Sequence, residues 1–133
     1  MDTDNPVIKL CIEGSQAEYE RKLDRARELY QRAWDIASDD YEACIAAHYL
    51  ARRQSTPEDT LHWNQTALHH ADLTPVERVR DFYPSLYLTL GHSLEELGQV
   101  DEAKRYYALS ADHLDDLLSG PDPNFDRNSS PSE

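Results

Sequence analysis

The chain is predicted to be all-α. Three observations lead there: apolar residues recur at three- and four-residue spacings, helix-cap grammar recurs along the chain, and no segment alternates with a period of two. Leu23, Ala26, Tyr30, Ala33 and Ala37 mark one helical face, and Leu86, Leu90, Leu94 and Leu97 another. The composition agrees, with 39% hydrophobic residues, 29% charged residues and only 4 Gly among 133 residues. A chain of this length suits one domain and should bury about two-thirds of its unfolded surface.

Taken in order, Asn5-Pro6-Val7 offers an Asn cap followed by Pro at the first helical position, where its missing N–H costs nothing. Thr56-Pro57-Glu58-Asp59 repeats that grammar, with Asp59 in the first turn. Thr74-Pro75-Val76-Glu77 adds a Glu where a capping box needs one, and Asp101 is predicted to cap the helix entered at Glu102. The domain is expected to span residues 1–118. Ser119-Gly120-Pro121-Asp122-Pro123 should stop the last helix. The polar remainder, with Phe125 its one aromatic, gives a predicted disordered tail over 119–133.

A longer period overlies the helices. Gly14, Ala26, Tyr30 and Ala33 have the same spacing as Gly91, Ala103, Tyr107 and Ser110. Small residues let two helices approach closely, and the tyrosine fills the gap behind them. The pattern therefore predicts a helix, a tight turn and a second antiparallel helix, used at least twice. Residues 84–117, with Tyr87-x2-Leu90-Gly91-x2-Leu94 followed by Ala103-x3-Tyr107, resemble the tetratricopeptide repeat (TPR), as does the turn Gly98-Gln99-Val100-Asp101. Residues 7–40 resemble it through Gly14, Leu23, Ala26, Tyr30 and Ala33, although Arg21 stands where the turn usually has Gly. A middle unit, 41–74, keeps Ala67 but carries His48 at the glycine position and Thr60 at the alanine position. The third unit starts nine residues late, and the intervening 75–83 are expected to extend its first helix, kinked near Pro84.

The resemblance implies an α–α superhelix of about three TPR-like hairpins in one right-handed stack. It also implies a concave groove, lined by the first helix of each unit, that holds a segment of another protein. By position the groove residues are Ile8, Cys11, Ser15, Glu18 and Tyr19, then Glu42, Ile45, Tyr49, Arg52 and Arg53, then Ser85, Leu88, His92, Glu95 and Glu96. Tyr19, Ile45, Tyr49, Arg52, Arg53, Leu88, His92, Glu95 and Glu96 are the expected contacts, with Arg52 and Arg53 opposite Glu95 and Glu96. The Lys/Asn set with which some relatives clamp a terminal carboxylate is absent from these positions. No polar capping helix follows the last unit, so Tyr106, Leu109, Leu114, Leu117 and Leu118 are expected to leave an apolar end that a homodimer or a partner could cover.

Other chemistries find little support. With 13 Lys+Arg against 26 Asp+Glu the formal net charge is −13, which opposes nucleic acid and anionic membrane surfaces. No apolar run reaches the ~18 residues of a membrane span. The start, Met1-Asp2-Thr3-Asp4-Asn5-Pro6, lacks the basic residues of a signal peptide, so a cytoplasmic protein is expected. Cys11 and Cys44 read as reduced core residues. None of the six histidines has the i, i+4 His spacing of a helical metal site, so no metal and no cofactor are expected. Arg21, Lys22, Arg25, Arg27 and Arg32 are interleaved with carboxylates, as Glu28 with Arg32, and read as a solvated face. Trp34 and Trp63 should fill gaps between helices. The function expected is a non-catalytic protein-interaction module or scaffold. A small acidic chaperone and an enzyme-associated protein using Cys44 and His48 are the alternatives.

Overall fold

The computed structural model describes residues 2–119, and these are helical with no strand among them. The elements are α1 (Pro6–Tyr19), α2 (Leu23–Ile36), α3 (Asp40–Leu50) continued by a 3₁₀ turn (Ala51–Arg53), and α4 (Pro57–Asp72). A short α5 (Val76–Val79) and a second 3₁₀ turn (Arg80–Phe82) lead into α6 (Tyr83–Glu96) and α7 (Val100–Ser119). The all-α fold class is as the sequence predicts. The last helix reaches Ser119, and the remainder of the predicted tail lies outside the described residues.

The most extensive contacts join α1 to α2, α3 to α4 and α6 to α7, each pair linked by a three-residue connection that makes it antiparallel. The second helices begin at Leu23, Pro57 and Val100, each 17 residues after the first helices at Pro6, Asp40 and Tyr83. Between pairs, α2 and α1 rest on α3, and α4 rests on α6. The small residues sit where their spacing places them: Ala26, Ala33 and Ala103 are buried, and a Cβ on Gly14 or Gly91 would come 2.2 Å or 2.4 Å from a carbon of the Tyr30 or Tyr107 ring. Tyr30 is fully buried and tilts against Tyr49 of α3 with ring centroids 5.4 Å apart. Trp34 and Trp63 meet edge to face at 5.0 Å across α2 and α4.

Two of the expected caps form and several other local expectations are corrected. Asn5 caps α1 through Oδ1, which accepts from Val7 N at 2.8 Å and from Ile8 N. Thr56 caps α4 by accepting from Asp59 N. Thr74 does not cap: its hydroxyl donates back to the His70 carbonyl, closing the end of α4. Asp101 lies in the first turn of α7 rather than at its cap. The segment after α4 is not an extension of α6 kinked at Pro84. It is the separate α5 and a 3₁₀ turn, and Pro84, which has no N–H to give, takes its place in the first turn of α6. Leu23 is 46% exposed rather than facing the core, and Glu28 pairs with Arg25 at 3.7 Å instead of with Arg32.

Arg21 adopts φ 64°, the left-handed conformation that Gly98 adopts with φ 80° in the corresponding turn before α7. Left-handed backbone costs a residue with a Cβ about 1–2 kcal/mol, part of which glycine returns as unfolded-state entropy. Arg21→Gly should therefore raise stability by about 0.5–1 kcal/mol, measured as a higher urea midpoint at unchanged m-value.

Candidate functional site

The candidate site lies on α3 and α6 and extends to the C-terminal turn of α1. Glu18 organises that turn. Its carboxylate accepts from the Tyr30 hydroxyl and pairs with Arg52 Nη2 at 3.1 Å. Its other oxygen lies 3.0 Å from Arg53 Nε, off the hydrogen-bonding line, so that contact is held by charge. The Tyr30 hydroxyl also lies 3.4 Å from Ser15 Oγ. Burial and the Glu18 carboxylate hold this phenol well above the ordinary tyrosine range. Arg52 and Arg53 are thus turned toward α1. They are not paired with Glu95 and Glu96 as expected, because α5 and its 3₁₀ turn are inserted between α4 and α6, whereas α1 rests directly on α3.

The last hairpin repeats the tyrosine–carboxylate contact. Tyr107 donates to Glu95 Oε1 at 2.6 Å, and this contact raises its pKa to about 12. His92 packs edge to face on the same ring, with centroids 5.6 Å apart. The middle hairpin has Asn64 in place of the tyrosine. Its buried amide donates to Ser93 Oγ at 3.1 Å and to the Thr89 carbonyl at 3.3 Å, tying α4 to α6.

Two adjoining cavities open along α3 and α6. The first, of about 200 Å³, is lined by Cys44, Ile45, His48, Tyr49, Phe82, Ser85 and Leu86. The second, of about 140 Å³, is more polar in its lining residues, which include Arg52, Thr60, Asn64, His92 and Glu96. His48 lines both. Of the expected groove residues, Ile45 and Tyr49 line the first cavity, Arg52, His92 and Glu96 the second, and Arg53 stands beside Arg52 in a shallow depression near Arg27. Tyr19 is 86% exposed and Leu88 is 43% exposed, and neither lines these cavities. Ile8 and Cys11 are not groove residues: both are buried in the core. The expected groove omits Phe82, Leu86, Thr60 and Asn64: Phe82 lies in the insertion, Leu86 reads from its spacing as a core residue of α6, and Thr60 and Asn64 sit on a second helix.

His48 Nδ1 is buried with no hydrogen-bond partner among the described residues. Burial, reinforced by the Arg52 charge, holds the imidazole below its ordinary pKa of 6.5 and keeps it neutral at neutral pH. The unfolded chain therefore binds a proton near pH 6.5 that the folded chain refuses, so folding loses stability as pH falls below about 6.5. Glu42, held below the carboxylate range first by the Ser38 backbone N–H and then by Asn5, adds its loss only below about pH 4.5. The urea midpoint should fall between pH 6.5 and 5.5 in the parent, and fall less in His48→Gln. Cys44, one turn before His48, is not activated, because burial pushes its thiol up to about 12. Among the described residues no three His, Cys, Asp or Glu side chains converge as metal ligands, and no helix is long and apolar enough to cross a membrane. Searches against protein-family models, curated proteins and solved structures gave no match to this chain.

Proposed function

We propose that this chain is a non-catalytic protein-interaction module that holds a segment of another protein along the face formed by α1, α3 and α6, as a tetratricopeptide-like groove would. The observation that carries this reading is the pair of adjoining cavities between α3 and α6, bordered by Ile45, Tyr49, Arg52, His92 and Glu96. The 17-residue interval shared by the three helix pairs, and the glycine–tyrosine contact common to the first and last, support the repeat on which the groove depends.

Peptides selected from a displayed random library against the full chain test it. Binding should weaken at least tenfold in His92→Ala/Glu96→Lys, a variant of two exposed residues that keeps its melting temperature. Unchanged affinity there, with loss in Leu114→Ala/Leu118→Ala, would move the site to the outer face of α7. A second reading, a small acidic chaperone for one client, is favoured by the net charge of −13 and by Leu114 and Leu118, which are 46% and 77% exposed.

A further inference from the structure

The cavity between α3 and α6 exists because these two helices are held apart. α1 packs directly on α3, but α6 packs on α4, with α5 and its 3₁₀ turn leading into it. Ile45, Leu86 and Cys44 are buried, whereas Ser85 at the edge is exposed, so an apolar recess reaches the surface. Its volume of about 200 Å³ exceeds the ~150 Å³ at which an apolar cavity admits a benzene ring. His48 separates this recess from the polar cavity, and its Nδ1 has no hydrogen-bond partner among the described residues.

The charges around the recess are divided. Arg52 and Arg53 are both engaged by Glu18 on the α1 side. The α6 side carries Glu95 and Glu96, for which no ion pair is found among the described residues, in a chain with twice as many acidic as basic residues.

We propose that the two cavities together bind a basic segment of another protein. A side chain of phenylalanine or leucine size enters the recess between α3 and α6, and a neighbouring Lys or Arg faces Glu96. The segment crosses His48 between the two cavities. The proposal rests on the groove reading above and adds to it the chemistry of the partner.

The test uses peptides selected from a displayed random library on the full chain at low salt. The enriched sequences should carry one aromatic or long aliphatic residue within two positions of Lys or Arg. A synthetic copy should bind at least tenfold more weakly to Ser85→Phe, which fills the recess from an exposed position, and at least fivefold more weakly to Glu96→Lys. The His48 ring resonances should shift on binding, and both variants should melt with the parent. Enrichment of acidic peptides would overturn the proposal. If His92→Ala/Glu96→Lys weakens binding but Ser85→Phe does not, the groove stands and the recess is not its anchor. If neither variant weakens binding, the groove reading fails too. Dimerisation abolished by Ser85→Phe would assign the recess to a second copy of the chain and likewise overturn the proposal.

Discussion

Glu18→Ala should destabilise the fold by about 2–4 kcal/mol, more than any other single change on the surface of α1. The Glu18 side chain is only 11% exposed and takes three partners at once: the Tyr30 hydroxyl, Arg52 and Arg53. Its removal leaves the Tyr30 hydroxyl, deep in the first hairpin, with only the 3.4 Å contact to Ser15. It also leaves Arg53, 30% exposed, without its carboxylate. Tyr30→Phe removes one of those partners and should cost about 1 kcal/mol. A double-mutant cycle between Glu18 and Arg53, read by urea denaturation, should give a coupling well above the ~0–1 kcal/mol of an exposed pair. Coupling within the exposed range would show that the three contacts do not act together.

Gly14→Ala and Gly91→Ala should separate by about 1–3 kcal/mol, although both put the same methyl group against the same kind of ring. In an open helix either change would gain up to about 1 kcal/mol of propensity. At Gly14 the new Cβ would meet three atoms of the Tyr30 ring, which is fully buried, bonded to Glu18 and packed against Tyr49, and so has nowhere to go. At Gly91 the ring is Tyr107, half-buried in the last hairpin, and its partners Glu95 and His92 are exposed side chains that can move with it. Gly14→Ala is therefore expected to lower the melting temperature clearly, and Gly91→Ala to leave it nearly unchanged. Equal losses would show that Tyr107 is held as firmly as Tyr30.

The same two glycines show what was legible in the sequence. The spacing of Gly14, Ala26, Tyr30 and Ala33 encodes a local close contact between two helices joined by a short turn, so its recurrence at Gly91 gave both hairpins directly. Arg21 was legible in the same way, as a residue in a place that favours glycine, and its φ of 64° follows from the turn. The start of α3 was missed, yet a signal existed. Asp39 accepts from Glu42 N at 2.8 Å while Glu42 accepts from Ser38 N at 2.8 Å, a variant of the capping box written in Ser38-Asp39-Asp40-Tyr41-Glu42.

The partners of Arg52 and Arg53 were not legible. Carboxylates stand at equivalent places on both neighbouring first helices, and the choice between them depends on how far α5 and its 3₁₀ turn displace α6. The cavity beside His48 is hidden for the same reason, since it is a space left by that insertion and not a pattern of residues. Ile45 and Tyr49 on α3 and His92 and Glu96 on α6 line the cavities and Leu88 does not, while periodicity cannot tell that Ile8 and Cys11 on α1 are covered by the rest of the core.

Amide chemical-shift mapping of the full chain with a library-selected peptide decides whether the face of α3 and α6 holds the partner. The perturbed amides should cluster on α3 and its 3₁₀ turn, within 44–53, and on α6, within 85–96, with His48 among the largest changes. Perturbations confined to the outer faces of α7 or α2, with 44–53 and 85–96 unmoved, would contradict it.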